Sequence, residues 1–268
     1  MIDRGKHNVL GVCVDAVDYD AAVDRIITAA QAGLPLSAAA VSVHGVMPAV
    51  SDADHRYRLN HIDLVVPDGQ PVRWALNRLH GAQLKDRVYG PNLTLKLWAK
   101  AAELSIPIFL YGSRSEVLAA LRAQLERRFP SIVIAGSTPG QFRQLSLAER
   151  DEVVASIHRS GARMVFVGLG CPRQEVWVYE YRSLLGVPLV AVGAAFDFHA
   201  GLLPQAPSYM QRAGLEWFYR LTREPRRLWR RYLLINPPYV ALVTLQAAGL
   251  KHFDPLAVQP PATELRYG

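Results

Sequence analysis

Two cysteines in 268 residues, Cys13 and Cys171, are too few for a disulfide framework or a thiolate zinc site, and they point to a reducing, cytoplasmic setting. No stretch of eighteen apolar residues occurs, and the N-terminal MIDRGKHNVLGVCVDAV has no long apolar run after its basic residues. A membrane-spanning helix and a secretory leader are therefore not expected. The GxGxxG of dinucleotide folds, the P-loop and the GxSxG elbow are missing too, which counts against oxidoreductase, NTPase and nucleophilic hydrolase readings. The histidines lack metal-ligand spacing, so neither a metal nor a cofactor is expected. Asp52-Ala53-Asp54 spells DxD, but it sits in a polar stretch beside His55 and Arg56, away from any strand end, and reads as a solvated helix or turn.

What the chain has in excess is arginine near its C-terminus. Seven arginines fall between Arg212 and Arg231 against two glutamates, interleaved with Trp217, Phe218, Tyr219, Trp229 and Tyr232. The net charge of +7 owes much to this segment, so the basic balance marks a local partner site. A guanidinium fork grips a diphosphate bidentately, and amphipathic rings suit a membrane interface. Spacings of three and four among Arg220, Arg223, Arg227, Arg230 and Arg231 predict one stripe on near-continuous helices, with Pro225 opening the second helix. Charge alone leaves nucleic acid, acidic membrane and phosphorylated substrate open, and a solvated basic helix pair docked on the core is the plainer alternative. After Pro238, YVALVTLQAAGL is too short to span a bilayer; it lies on one or packs as a terminal helix.

From residue 9 to about 196, short β-branched or apolar runs alternate with helical periodicity, which predicts an α/β, Rossmann-like, largely parallel sheet flanked by helices. The expected strands are Val9–Val14, Ala38–Val43, Leu64–Val66, Arg87–Tyr89, Ile106–Tyr111, Ile132–Ala135, Met164–Val167 and Leu189–Val192. Six helices are expected between them, over Ala21–Ala32, Gln70–Leu79, Leu93–Leu104, Glu116–Phe129, Leu147–His158 and Gln174–Leu185. The expected organisation is a catalytic core over residues 1–200 and a basic, aromatic-rich helical appendage over 201–268.

Ligands of such sheets bind beyond the carboxyl ends of the strands. There, Gly168 and Gly170 of the GLGCPRQ loop let backbone N–H groups approach a phosphate at a helix N-terminus, although tight turns use glycine for structural reasons as well. Asp68, between Pro67 and Gly69, is placed either as a general base or as a cap on the helix beginning near Gln70.

These segments resemble the WecG/TagA/CpsF family of bacterial glycosyltransferases over roughly Val9 to Leu233. The specific parts are PDG at Pro67 to Gly69, RVYG at Arg87 to Gly90, VGLGCPRQE at Val167 to Glu175, then AFDFHAG, AP, GLEWFYRL and EPRRLWRRYL. The resemblance implies metal-independent transfer of a sugar, with inversion, from a UDP-sugar to a polyprenyl-diphosphate-linked saccharide at the inner face of the cell membrane. Asp68 matches the family's catalytic base and Arg87 a family arginine at the active-site mouth. Ser42 and His44 stand where the family commonly has Thr and Asn near the donor sugar, so His44 is a departure bearing on sugar choice. Asn92 stands where Asp is common and is not carried over. Gln174 and Asp197 match nucleotide contacts, and Arg220, Arg227 and Arg230 match an appendage that closes over the site at the membrane. A nucleic-acid-binding protein with an arginine-rich tail is the competing class, but it leaves the ordered strand-end motifs unexplained, so no nucleic-acid partner is expected.

Overall fold

A computed structural model of the protein describes residues 1–268 except Ala213, Glu224 and the side chains of Ser208, Arg212, Arg220, Arg227, Arg230 and Arg231. The chain opens on a hairpin of β1 (Asp3–Val9) and β2 (Val12–Val17), turned at Leu10 and Gly11. Next come α1 (Tyr19–Ala32), β3 (Leu36–Val41), α2 (Val43–Ser51), α3 (Ala53–Asn60) and β4 (Leu64–Pro67). They are followed by α4 (Gln70–His80), α5 (Gly90–Glu103), β5 (Ile108–Gly112), α6 (Ser115–Arg128) and β6 (Ile134–Thr138). Then α7 (Leu147–Ser160), β7 (Met164–Gly168), α8 (Arg173–Leu185) and β8 (Pro188–Ala191) complete the sheet. Four helices follow it: α9 (Ala195–His199), α10 (Ser208–Arg212), α11 (Glu216–Arg223) and α12 (Pro225–Ala247).

Six strands form one parallel sheet in the order β4-β3-β8-β7-β5-β6. Strands β4, β5, β7 and β8 are buried on both faces, which is why they read as continuous apolar runs and not as alternating ones. Val65, Phe109, Val165 and Ala191 face one core with Trp177 and Tyr181 of α8, whereas Leu64, Ile108, Phe166 and Val190 face a second with Trp98 of α5. Local signals set the helix ends. Asp18 caps α1 by accepting from the Ala21 N–H at 2.9 Å, Gly33 ends it at φ 67°, and Ser146 with Glu149 forms a capping box on α7.

Three expectations are corrected. Val9–Val14 is not a strand of the main sheet: its middle is the hairpin turn, and the hairpin forms a separate two-stranded sheet. Arg87–Tyr89 is a loop, whose Val88 N–H is taken by Pro67 O at 2.9 Å and whose Tyr89 N–H is taken by the Tyr19 hydroxyl at 2.9 Å, leaving no ladder to form. Ile132–Ala135 is displaced, since β6 begins at Ile134. Helix α2 is not among the helices expected above, and it contains Gly45 and Pro48, both poor helix formers. A side chain at Gly45 would meet Val41 Cγ1 at 2.9 Å, so glycine is what lets α2 start on top of the β3 end. Asp52 of the DxD triplet accepts from the His55 N–H at 2.9 Å and caps α3, as a helix reading of that triplet expects.

The hairpin guards the β4 edge of the sheet. Asp15 of β2, 1% exposed, accepts from the Val65 N–H at 2.7 Å and pairs with Arg25 at 3.0 Å, so an edge donor is occupied by a side chain. At the other end, Pro225 opens α12 as expected, and α12 packs against α2 and α4, with the Tyr239 hydroxyl donating to Pro71 O at 3.2 Å. The final residues return across the core. Asn60 donates to Pro255 O, Arg58 to Thr263 O, Glu180 accepts from the Leu265 and Arg266 N–H groups, and Gly268 donates to Arg143 O at 3.0 Å.

Gly168 ends β7 against Phe196, whose ring would lie 2.6 Å from a Cβ at that position. Phe196 is fully buried beside Trp98, so the ring has nowhere to retreat. Gly168→Ala is expected to cost about 1–3 kcal/mol, read as a lower urea midpoint at unchanged m-value; an unchanged midpoint would show that the packing around Phe196 yields.

Candidate active site

All six parallel strands deliver their carboxyl ends to one rim, and Asp68 lies there just past β4. Its backbone N–H donates to Val41 O at 3.0 Å, and its Oδ1 accepts from the Gly90 N–H at 2.6 Å. The carboxylate therefore sits at the N-terminus of α5, facing the positive end of the helix dipole. Gly90 is required by this approach, since a Cβ there would stand 3.3 Å from Asp68 Oδ1 and 3.2 Å from Ala40 Cβ. The capping alternative for Asp68 does not hold on α4, whose N-cap is Gly69.

Two clefts meet at Asp68. The larger, about 340 Å³, is walled by Ser42, His44, Tyr89, Gly90, Gly170, Cys171, Gln174, Glu175 and Gly193. Gln174 organises this wall: its Oε1 accepts from the Gly170 N–H at 3.1 Å and the Gly193 N–H at 3.0 Å, and its Nε2 donates to Glu175 at 3.0 Å. The side chain thus ties the β7 loop to the β8 loop at the start of α8. The smaller cleft, about 120 Å³, runs from Ser42, His44, Asp68 and Arg87 to Trp217, Tyr232, Ile235 and Asn236 of the C-terminal helices. Ser42, His44, Asp68 and Glu216 line both.

Arg87 and Glu216 form a buried ion pair between the core and α11, and the Tyr89 hydroxyl donates to the other Glu216 oxygen at 2.9 Å. The Arg87 guanidinium also lies 4.3 Å from the centre of the Tyr89 ring. Burial alone would depress the guanidinium, but the charges of Asp68 and Glu216 outweigh it and hold it above its ordinary value. Burial, followed by the same two carboxylates, pushes the Tyr89 hydroxyl up, so it remains a hydrogen-bond donor.

Of the residues expected from sequence, Ser42, His44, Asp68, Gly170 and Gln174 come together in the larger cleft and Arg87 joins them from the smaller. Gly168 lies beneath, filled over by Phe196, and Asp197 sits on α9 beside the lining residue Phe198 but outside both linings. The side chains of Arg220, Arg227 and Arg230 lie outside the described residues. Glu216, Tyr89 and Glu175 were not singled out. No local spacing signals Glu216, because its partner Arg87 lies 129 positions away.

A strand-end carboxylate beside a glycine-lined helix start, under a cover of helices, is the layout of a group-transfer enzyme, and the similarities of the chain give the group. The model of the glycosyl transferase WecG/TagA/CpsF family matches residues 7–252. An N-acetylglucosaminyldiphosphoundecaprenol N-acetyl-beta-D-mannosaminyltransferase of Bacillus subtilis is 34% identical over 208 residues, 77% of this chain and 78% of that protein. The protein of the same description from Bacillus spizizenii is 38% identical over 186 residues, 69% of each chain. The protein is thus a glycosyltransferase. It belongs to the WecG/TagA/CpsF family.

Burial pushes the Glu175 carboxyl above its usual 4.5, against hydrogen bonds from its own backbone, Gln174 and Cys171 that favour the anion. The unfolded chain then ionises at a pH where the folded one still holds its proton. Stability falls as pH climbs from about 4.5 toward the raised folded value. Glu175→Gln removes this titration at constant shape, so its melting temperature is expected to match the wild type near about pH 4 and to exceed it near about pH 8. A gap of constant size across that range would mean that Glu175 is already ionised in the fold.

Proposed function

We propose that this enzyme moves a sugar from a UDP-sugar to an N-acetylglucosaminyl-diphosphate-polyprenol type of acceptor at the inner face of the cell membrane, with inversion and without a metal. The observation that carries the reading is the position of Asp68 where the two clefts meet, held through Oδ1 by the Gly90 N–H at 2.6 Å. The larger cleft, with the start of α8 in its wall, suits the donor, and Ser42 and His44 stand where the sugar would lie. The smaller cleft, walled by the C-terminal helices, suits the acceptor sugar.

Asp68 takes the proton of the acceptor hydroxyl as that oxygen attacks C1 of the donor, and UDP departs with the bonding pair. Attack from the face opposite the leaving group inverts C1. Backbone dipoles and Arg87 stabilise the charge on the departing diphosphate. The acceptor named for both Bacillus relatives carries a polyprenyl diphosphate, which keeps its hydrocarbon in a bilayer. Among the described residues no helix is long and apolar enough to cross a membrane. Instead, α11 and α12 expose Trp217, Phe218, Trp229, Leu233 and Leu234 beside Arg223 and Arg226, a face suited to an anionic bilayer surface. We assign residues 201–268 as the appendage carrying that face.

A panel of UDP-sugars offered with a short polyprenyl-diphosphate N-acetylglucosamine, with and without chelator, tests the reaction by mass spectrometry of the lipid product. Chelator-resistant transfer from one donor is expected. Asp68→Asn is expected to lose about 10²–10⁴-fold in turnover while still binding UDP, and near-normal turnover in that variant would remove Asp68 from the role of base. Flotation with vesicles is expected to show binding that rises with anionic lipid and falls with salt; no binding to any vesicle would overturn the membrane assignment.

A further inference from the structure

We propose that Glu216 is a resident anion that the substrate's diphosphate displaces from Arg87, so that substrate binding and release of the α11 cover are one exchange. The proposal rests on the assignment of a diphosphate substrate to this site. Among the described residues lining the two clefts, Arg87 is the one guanidinium, and lysine is absent. Its charge is already matched by Glu216, while Asp68 adds a second negative charge. A diphosphate entering this arrangement meets a carboxylate in front of the cation that would attract it.

The geometry of Glu216 is that of a mimic. One oxygen takes the Arg87 guanidinium and the other the Tyr89 hydroxyl, which is how two phosphate oxygens would be received. Both donors sit on the loop between α4 and α5, whereas Glu216 arrives from the first turn of α11. Burial leaves water little access to Arg87, at 9% exposed, so the pair exchanges for another anion more favourably than it dissociates. The departing Glu216 would carry α11, with its exposed Trp217 and Phe218, away from the core.

Exchange makes a prediction opposite in sign to a merely structural role. Glu216→Gln keeps the shape and the hydrogen bonds but removes the competing charge. Titration calorimetry with inorganic pyrophosphate and with UDP is expected to show about fivefold or more tighter binding to this variant than to the wild type. Tyr89→Phe removes a donor that both anions use, and is expected to weaken pyrophosphate binding to the Glu216→Gln protein. Limited proteolysis is expected to cut within the α10–α12 segment faster when pyrophosphate is present. Unchanged or weaker pyrophosphate binding by a folded Glu216→Gln protein would overturn the exchange. The binding assay needs no lipid acceptor, so absence of sugar transfer by the wild type would count against the functional reading and leave the exchange to be judged on binding.

Discussion

The contact between Arg87 and Glu216 decides what the rim of this sheet becomes. An ion pair removed from water recovers its desolvation cost only with close geometry and with partners for the remaining lone pairs. Here the Tyr89 hydroxyl supplies that partner, and its ring lies beside the guanidinium. Three groups from two distant parts of the chain are thereby fixed within reach of Asp68. Without the pair, α11 has few buried apolar anchors, because Trp217 and Phe218 point outward. Packing through Leu228 and Tyr239 seats α12 on the core, and the ion pair seats α11.

The parallel sheet supplies the other half of the site. Each βα crossover returns a strand end to the same rim, so residues distant in sequence, such as Ser42, Asp68, Gly170 and Gly193, become neighbours. Side chains then stitch adjacent loops where backbone pairing stops. Gln174 binds the N–H groups of two loops, and Asp68 binds the start of α5. The site is preorganised by these few bonds, and its carboxylate is held in place with one oxygen engaged.

Much of this was legible in the sequence, for physical reasons that differ by element. Strands buried on both faces betray themselves as apolar runs, so β4, β5, β7 and β8 were found, and apolar residues at helical spacing marked α1 and α7. Arg87–Tyr89 misled because three residues of strand-like composition say nothing about whether a neighbouring strand is free to pair; Val88 found Pro67 O and Tyr89 found a side chain. Helix α2 was hidden by Gly45 and Pro48, since propensity cannot show that Gly45 avoids a collision with Val41. The cluster around Asp68 was legible through its motifs, whereas Glu216 and Tyr89 were not, because an ion pair spanning 129 positions leaves no local spacing to read.

The chain does not end with the cover. Beyond α12 the last residues cross back over the core, held at Asn60, Arg58 and Glu180 and finishing against Arg143. The cover is therefore anchored to the same body on both sides, like a strap and unlike a flap with one hinge. Such a segment can lift only by bowing, because neither of its ends is free. Its local concentration above the clefts stays high even when every contact there is broken. Reclosure is then unimolecular, and its rate is set by the stiffness of the segment, whatever the enzyme's abundance.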